Sequence, residues 1–272
     1  EARCEERGAQ EDSGFQRYRR VCSCRQKGLR LRRQDAEPSE EAAGKVALTE
    51  TIVKTPASIR FSLKHTDVFK SQIRAILRAG ADAARVRIMF PLVSSLDEFI
   101  EARTIVQSCG AALEHDGLSH NPRVEIGMMI ELPSVLATID EFAREADFFS
   151  IGTNDFIQYM LAADRSNKQV ADYYTPHHPA VVRAIDRIAA AASSAGIDVS
   201  VWGKMAHDPQ YIPFPVGTGI RILSVDPKFL PHVRKTVSTI ALDRAEAFAQ
   251  RLLSCSGVKE TRSALKAWSP EA

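Results

Sequence analysis

Long apolar runs are missing from this sequence. No stretch approaches the roughly 20 residues that a membrane-spanning helix needs, and the start, "EARCEERGAQ", has no apolar core behind a basic end. Neither a membrane span nor a secretory leader is expected. Cysteine is scarce: Cys4, Cys22, Cys24, Cys109 and Cys255 make an odd five without paired C-x-x-C spacing. That argues against a disulfide framework and a zinc site, and for a reducing, cytoplasmic setting. Neither sign of charge is in excess, since 36 Lys and Arg face 34 Asp and Glu for a net charge of +2. The totals therefore give no pull toward nucleic acid. What remains is ordinary, 44% hydrophobic and 26% charged over 272 residues, enough for one large domain or two small ones.

The chain divides near residue 54. Before it, Arg17 to Arg33 holds eight basic residues and no acidic one, and "QDAEPSEEAAGK" then turns acidic. No strand or helix period holds for long, so residues 1–54 read as an atypical, disordered arm. A nucleic-acid-binding arm is the weaker reading, because it lacks interleaved aromatics. From residue 55 to 272 the pattern is regular. In "TDVFKSQIRAILRAG", Thr66 or Asp67 is the expected N-cap, Phe69, Ile73, Ile76 and Leu77 share a face, and Gly80 stops the helix. "RVRIMFPLV", "VEIGMMIELP", "DFFSIGTND", "IDVSVWG" and "IRILSVD" are short apolar strands, alternating with helices. Pro179 opens one helix and Gly196 closes it. Apolar runs without alternation indicate strands covered on both faces, hence a parallel sheet. Periodicity leaves a TIM-type barrel and an open doubly wound sheet equally open. The "GTG" at 217–219 lacks a third glycine at dinucleotide-binding spacing.

In parallel α/β folds the chemistry sits at the carboxyl ends of strands. Those ends give Arg87, then Glu131, then Asn154 and Asp155, then Trp202 and Lys204. Two acids one βα unit apart suit a small hard cation such as magnesium. Arg60, Arg87 and Arg165 are candidates for a phosphate, onto which guanidinium groups fork. Each has a plainer alternative. Asp155 is placed to be a helix N-cap, and Glu131 to pair with an arginine. Arg60 and Arg87 suit structural ion pairs, His177-His178 a loop pair beside Pro179, and Met128-Met129 the core.

At these residues a resemblance emerges. "SQIRAILRA", "RIMFPLVSS", "VEIGMMIELPS", "DFFSIGTNDFIQYMLAADRSN" and "HPAVVRAI" resemble the carboxyl-terminal, phosphoenolpyruvate (PEP)-binding domain of Enzyme I. Enzyme I is the phosphoenolpyruvate–protein phosphotransferase of the bacterial sugar phosphotransferase system. The likeness runs from about Ser58 to Trp268. It implies an α/β, TIM-type (β/α)8 barrel, here incomplete with about five recognisable strands, that forms a homodimer. It also implies PEP and Mg²⁺ as ligands, with a phosphohistidine domain and a phosphocarrier protein as partners. By position, Glu131 and Asp155 resemble the magnesium ligands, Arg87 and Arg165 the phosphate clamp, and Asn154 a substrate contact. Arg60 matches a family arginine and joins the substrate-binding set.

The pattern also departs from that family. Trp202 stands where the family has its catalytic cysteine, and an indole is no proton donor for that step. Lys204 replaces a glutamate. A second arginine is absent from "KTPASIR", and Pro215 falls where a helix is expected, which should shorten it. The family's first strands have no match in residues 1–54, so five parallel strands would expose sheet edges. The resemblance thus implies a truncated phosphotransferase domain with impaired turnover. The alternative is a non-catalytic dimerisation or regulatory module derived from it.

Overall fold

A computed structural model describes residues 27–30, 50–52 and 58–268; the rest of the 1–54 arm lies outside the described residues. Seven strands form one sheet: β1 Lys27–Arg30, β2 Glu50–Ile52, β3 Val86–Phe90, β4 Val124–Ile130, β5 Phe148–Gly152, β6 Asp198–Trp202 and β7 Ile222–Val225. β2 to β7 lie side by side in chain order, each parallel to the next. A doubly wound sheet reverses its order at a switch point. This sheet does not, so the winding is that of an incomplete (β/α)8-type barrel. The edges expected to be bare are flanked, β2 extending β3 and β1 adding to β7 in antiparallel pairing.

Strand alternation gives the sheet two unlike faces. One carries Ile88, Phe90, Ile126, Met128, Ile130, Phe149, Ile151, Val201, Leu223 and Val225, all buried against the helices in the main core. Each such side chain contributes about 1.5–3 kcal/mol relative to exposure. The other face carries Arg87, Glu125, Phe148 and Asp198, with Met89, Met129 and Phe148 forming a small separate cluster. Arg87 Nη2 bonds Asp198 Oδ2 at 2.6 Å although β4 and β5 lie between their strands. On a flat sheet those strands would stand about 14 Å apart, at ~4.8 Å per step. The sheet is therefore curved, with this face concave.

The helices pack on the convex side. α1 (Ser58–Lys64) and α2 (Thr66–Ala79) precede β3, and α3 (Leu96–His115) follows it. α2 buries Phe69, Ile73 and Leu77 and ends at Gly80 as its periodicity predicts. Its start differs: His65 is the N-cap and makes no side-chain cap bond, so neither Thr66 nor Asp67 caps it. After β4 a 3-10 turn, Pro133–Thr138, leads into α4 (Ile139–Glu145). α5 (Thr153–Leu161) begins directly where β5 stops. α6 (Pro179–Ala195) has proline at its start and Gly196 at φ 70° as its C-cap. α7 (Lys204–His207) and α8 (Pro213–Gly217) lead to β7, and α8, which contains Pro215, is held to five residues. α9 (Leu230–Ser238), α10 (Leu242–Ser254) and α11 (Val258–Lys266) are the last helices among the described residues.

Candidate functional site

The carboxyl ends of β4, β5 and β6 make a polar rim. Glu131 follows β4 directly and is 2% exposed. Its Oε2 accepts from the Leu92 backbone N–H at 2.9 Å. Leu92 has φ 53°, a left-handed conformation uncommon outside glycine, and this bond helps hold it. Gly152 stands beside Glu131 at the end of β5. A Cβ on Gly152 would lie 2.8 Å from Glu131 Cγ and 3.0 Å from Met129 Sδ, so the absence of a side chain there makes the space that Glu131 occupies.

Thr153, Asn154 and Asp155 are the first three residues of α5. The N-cap is Gly152, so Asp155 is not the cap that its spacing allowed. Its carboxylate lies in the first turn, where the helix dipole favours negative charge, and among the described residues no hydrogen bond engages it. Asn154 is held from two sides. Its Oδ1 accepts from the Lys204 backbone N–H at 3.2 Å, and its carbonyl accepts from the Tyr174 hydroxyl at 3.3 Å. The Thr153 hydroxyl donates to the Trp202 carbonyl at 2.7 Å. These bonds stitch the end of β6 onto the start of α5.

Trp202 pairs with Gly152 and with Ser224. Strand alternation puts its side chain on the face of Asp198 and Ser200, the concave one. The indole therefore belongs to the row that Glu131 and Gly152 begin. Lys204 is exposed, its ammonium 3.9 Å from the Asp208 carboxylate. Arg165 sits in the 162–178 segment after α5, in a turn whose Asp164 carboxylate accepts from the Ser166 N–H and O–H at 2.8 and 2.7 Å. Those bonds hold the Asp164 carboxyl below its ordinary range.

The other two arginines lie elsewhere. Arg60, on α1, binds Glu98 at 2.9 Å and the Ser94 hydroxyl at 2.7 Å. It braces the loop after β3 at the margin of the rim. Burial pushes the Glu98 carboxyl up, but the Ser94 bonds and Arg60 outweigh it, so the net shift is downward. Arg87 corrects the sequence reading. It is the second residue of β3, not its end, and its guanidinium lies among strand starts: Glu125 at 2.7 Å, Asp198 at 2.6 Å and the Phe148 ring at 4.5 Å. Its register partner Glu125 is six residues upstream of Glu131, roughly 20 Å along the strand at ~3.3 Å per residue. The structure thus brings Glu131, Asn154, Asp155 and Trp202 to one rim and leaves Arg87 on the floor.

Three rim residues escaped the sequence analysis: Tyr174, Tyr211 and Arg262. His178 is the N-cap of α6, its Nδ1 accepting from the Ala180 N–H, as a loop pair beside Pro179 should. His177 Nδ1 lies 3.1 Å from the Tyr211 hydroxyl, and Arg262 Nε donates toward its Nε2 at 3.4 Å. Burial, then the Arg262 charge, lowers His177 to about 4, and burial raises Tyr211 to about 12. The aromatic and histidine cluster "YYTPHHP" was a signal for Tyr174 alone; Tyr211 and Arg262 lie outside it.

The model of the PEP-utilising enzyme family, PEP-binding domain, matches residues 55–242. The chain belongs to that family. The chain is 39% identical over 198 residues to the phosphoenolpyruvate-protein phosphotransferase of Mycoplasma capricolum, covering 73% of this chain and 34% of that protein. The Bacillus subtilis protein of the same name is 38% identical over 209 residues, covering 77% of this chain and 36% of the relative. The chain thus spans about a third of the length of these curated relatives. Among solved structures, a citrate lyase from Burkholderia xenovorans aligns at 17% identity with a TM-score of 0.46, covering 72% of this chain and 67% of that one, a likeness too loose to bear on function.

Proposed function

We propose that this PEP-binding domain takes PEP together with Mg²⁺ at the β4–β5–β6 rim and serves an Enzyme I-like phosphotransferase, in which the phosphoryl group passes to a protein histidine. The observation that carries the reading is Asp155: an acid one βα unit from buried Glu131, in a first helical turn, with no internal hydrogen-bond partner among the described residues. Those residues include no cluster of three or more His, Cys, Asp and Glu placed to hold a metal ion. Magnesium takes one or two carboxylates and fills its shell with water and substrate oxygens. Glu131 and Asp155 would hold it, and its charge would offset that of the phosphate. Asn154 offers an amide to the substrate, Arg165 a guanidinium, and Arg60 braces the loop beside them. The rim's task is positioning and charge neutralisation around a transferring phosphoryl group. Calorimetry with PEP, with and without Mg²⁺, tests this. Binding should require Mg²⁺ and weaken at least about tenfold, or 1.4 kcal/mol, in Asp155→Asn. Binding untouched by both changes would sink the reading.

A second reading is a non-catalytic module that dimerises or competes for an intact enzyme's partners. Trp202 favours it, because an indole on the concave face beside Gly152 occupies space and donates no proton to a carbon centre. Under this reading PEP binds and no phosphoryl group reaches an added phosphohistidine domain.

A further inference from the structure

The 162–178 segment that carries Arg165 is long for a helix–helix connection. It contains one 3-10 turn, Ala171–Tyr173, and most of residues 162–173 are exposed. Little there fixes where a guanidinium points. Tyr174 is the exception. Its ring packs against the main core, and its hydroxyl reaches back to the Asn154 carbonyl at 3.3 Å. The groups around that hydroxyl are the ones the rim needs. Burial raises the phenol, the Arg165 guanidinium lies near enough to oppose that rise, and the Asp155 carboxylate near enough to add to it. Tyr211, the neighbouring tyrosine, is engaged elsewhere, with His177 and through it Arg262 of α11.

We propose that Tyr174 is the positioning residue of this site: one hydroxyl ties the Arg165 loop to the first turn of α5 and sets the guanidinium against Asn154 and Asp155. The proposal rests on the PEP reading for its ligand and on the Tyr174–Asn154 hydrogen bond for its anchoring role. Tyr174 acts through Arg165 and Asn154.

Tyr174→Phe keeps the packed ring and removes the hydroxyl, so the melting temperature should hold. Two readouts are taken on the full chain. The first is the rate of tryptic cleavage after Arg165, followed by mass spectrometry without ligand. The second is PEP affinity with Mg²⁺ in the parent, Tyr174→Phe, Arg165→Ala and the double variant. We expect cleavage after Arg165 to rise several-fold in Tyr174→Phe. Affinity should fall up to about tenfold, the scale of one hydrogen bond. In the Arg165→Ala background the same change should cost less than about twofold, since the two residues act as a unit. Unchanged cleavage overturns the proposal, as does an equal loss of affinity with and without Arg165. Faster cleavage in a protein whose parent binds no PEP overturns the PEP site and leaves the anchoring role standing.

Discussion

Gly203 shows how much one residue sets at the rim. It has φ 101° and ψ −158°, a region open essentially to glycine alone, and a Cβ there would stand 2.6 Å from Thr153 Oγ1 and 2.9 Å from Asn154 Oδ1. Gly203→Ala should cost about 1–3 kcal/mol from backbone strain, before the contacts are counted, and should loosen the bond from the Lys204 N–H to Asn154. Urea denaturation checks the first effect. His177 sets a pH dependence. It is neutral in the fold down to about 4, whereas an unfolded histidine protonates near 6.5. Its folded pKa is the lower one, so its contribution is fully present above about pH 6.5 and is lost as pH falls from there toward 4. The melting temperature should decline across that window, and His177→Gln should flatten part of the decline. The placement of Glu131 and Asp155 at strand ends was legible at this scale, because an acid directly after a buried strand is costly unless it is hydrogen-bonded or paired. The position of Arg87 was not: "RVRIMF" does not say which of its residues begins the strand.

Among the elements, α3 has the most complete start. The Ser95 hydroxyl accepts from the Glu98 N–H at 3.3 Å, and Glu98 accepts from the Ser95 and Ser94 backbones, closing a capping box. Arg60 docks α1 onto the same carboxylate. Glu98→Ala should cost about 1–2 kcal/mol, as it removes half of the box and leaves the Ser94 and Ser95 N–H groups without this partner. Arg60→Ala should cost under about 1 kcal/mol, because its side chain is 58% exposed and such pairs are worth little. Thermal denaturation separates the two. Element types were legible from apolar period, proline and glycine, as α6 and the Gly80 stop show. Starts were less so. Asp155 looked like a cap for "FIQYML", but α5 begins two residues earlier, at Thr153, because the Thr153 hydroxyl and the Asn154 amide are fixed by β6 and its following turn. Those partners lie some 50 residues away in the chain.

For the whole molecule, the floor network reports the curvature. Arg85 and Arg87 together hold Glu125 and Asp198, joining β3, β4 and β6 on the concave face. Burial raises the Glu125 carboxyl, and the two arginines outweigh it and lower it. The Arg87 side chain is 11% exposed, so Arg87→Met leaves Glu125 and Asp198 with one arginine fewer, Arg85 remaining, and should destabilise the fold by about 1–3 kcal/mol. PEP binding at the opposite rim should persist under conditions where the variant remains folded. Chemical denaturation and calorimetry on one preparation measure both; intact stability with lost binding would return Arg87 to the ligand.

The sequence by itself determined the alternation of buried strands and helices, the family, and the acids that end β4 and begin α5. These depend on residues near one another in the chain: runs of apolar side chains, a proline, a stop glycine, an acid after a strand. The tertiary structure alone decided the winding, the curvature and the company each arginine keeps. A guanidinium goes to whichever carboxylate the fold brings within reach, and Asp198 comes 111 residues after Arg87. No local pattern encodes that distance, because only the bending of the sheet closes it.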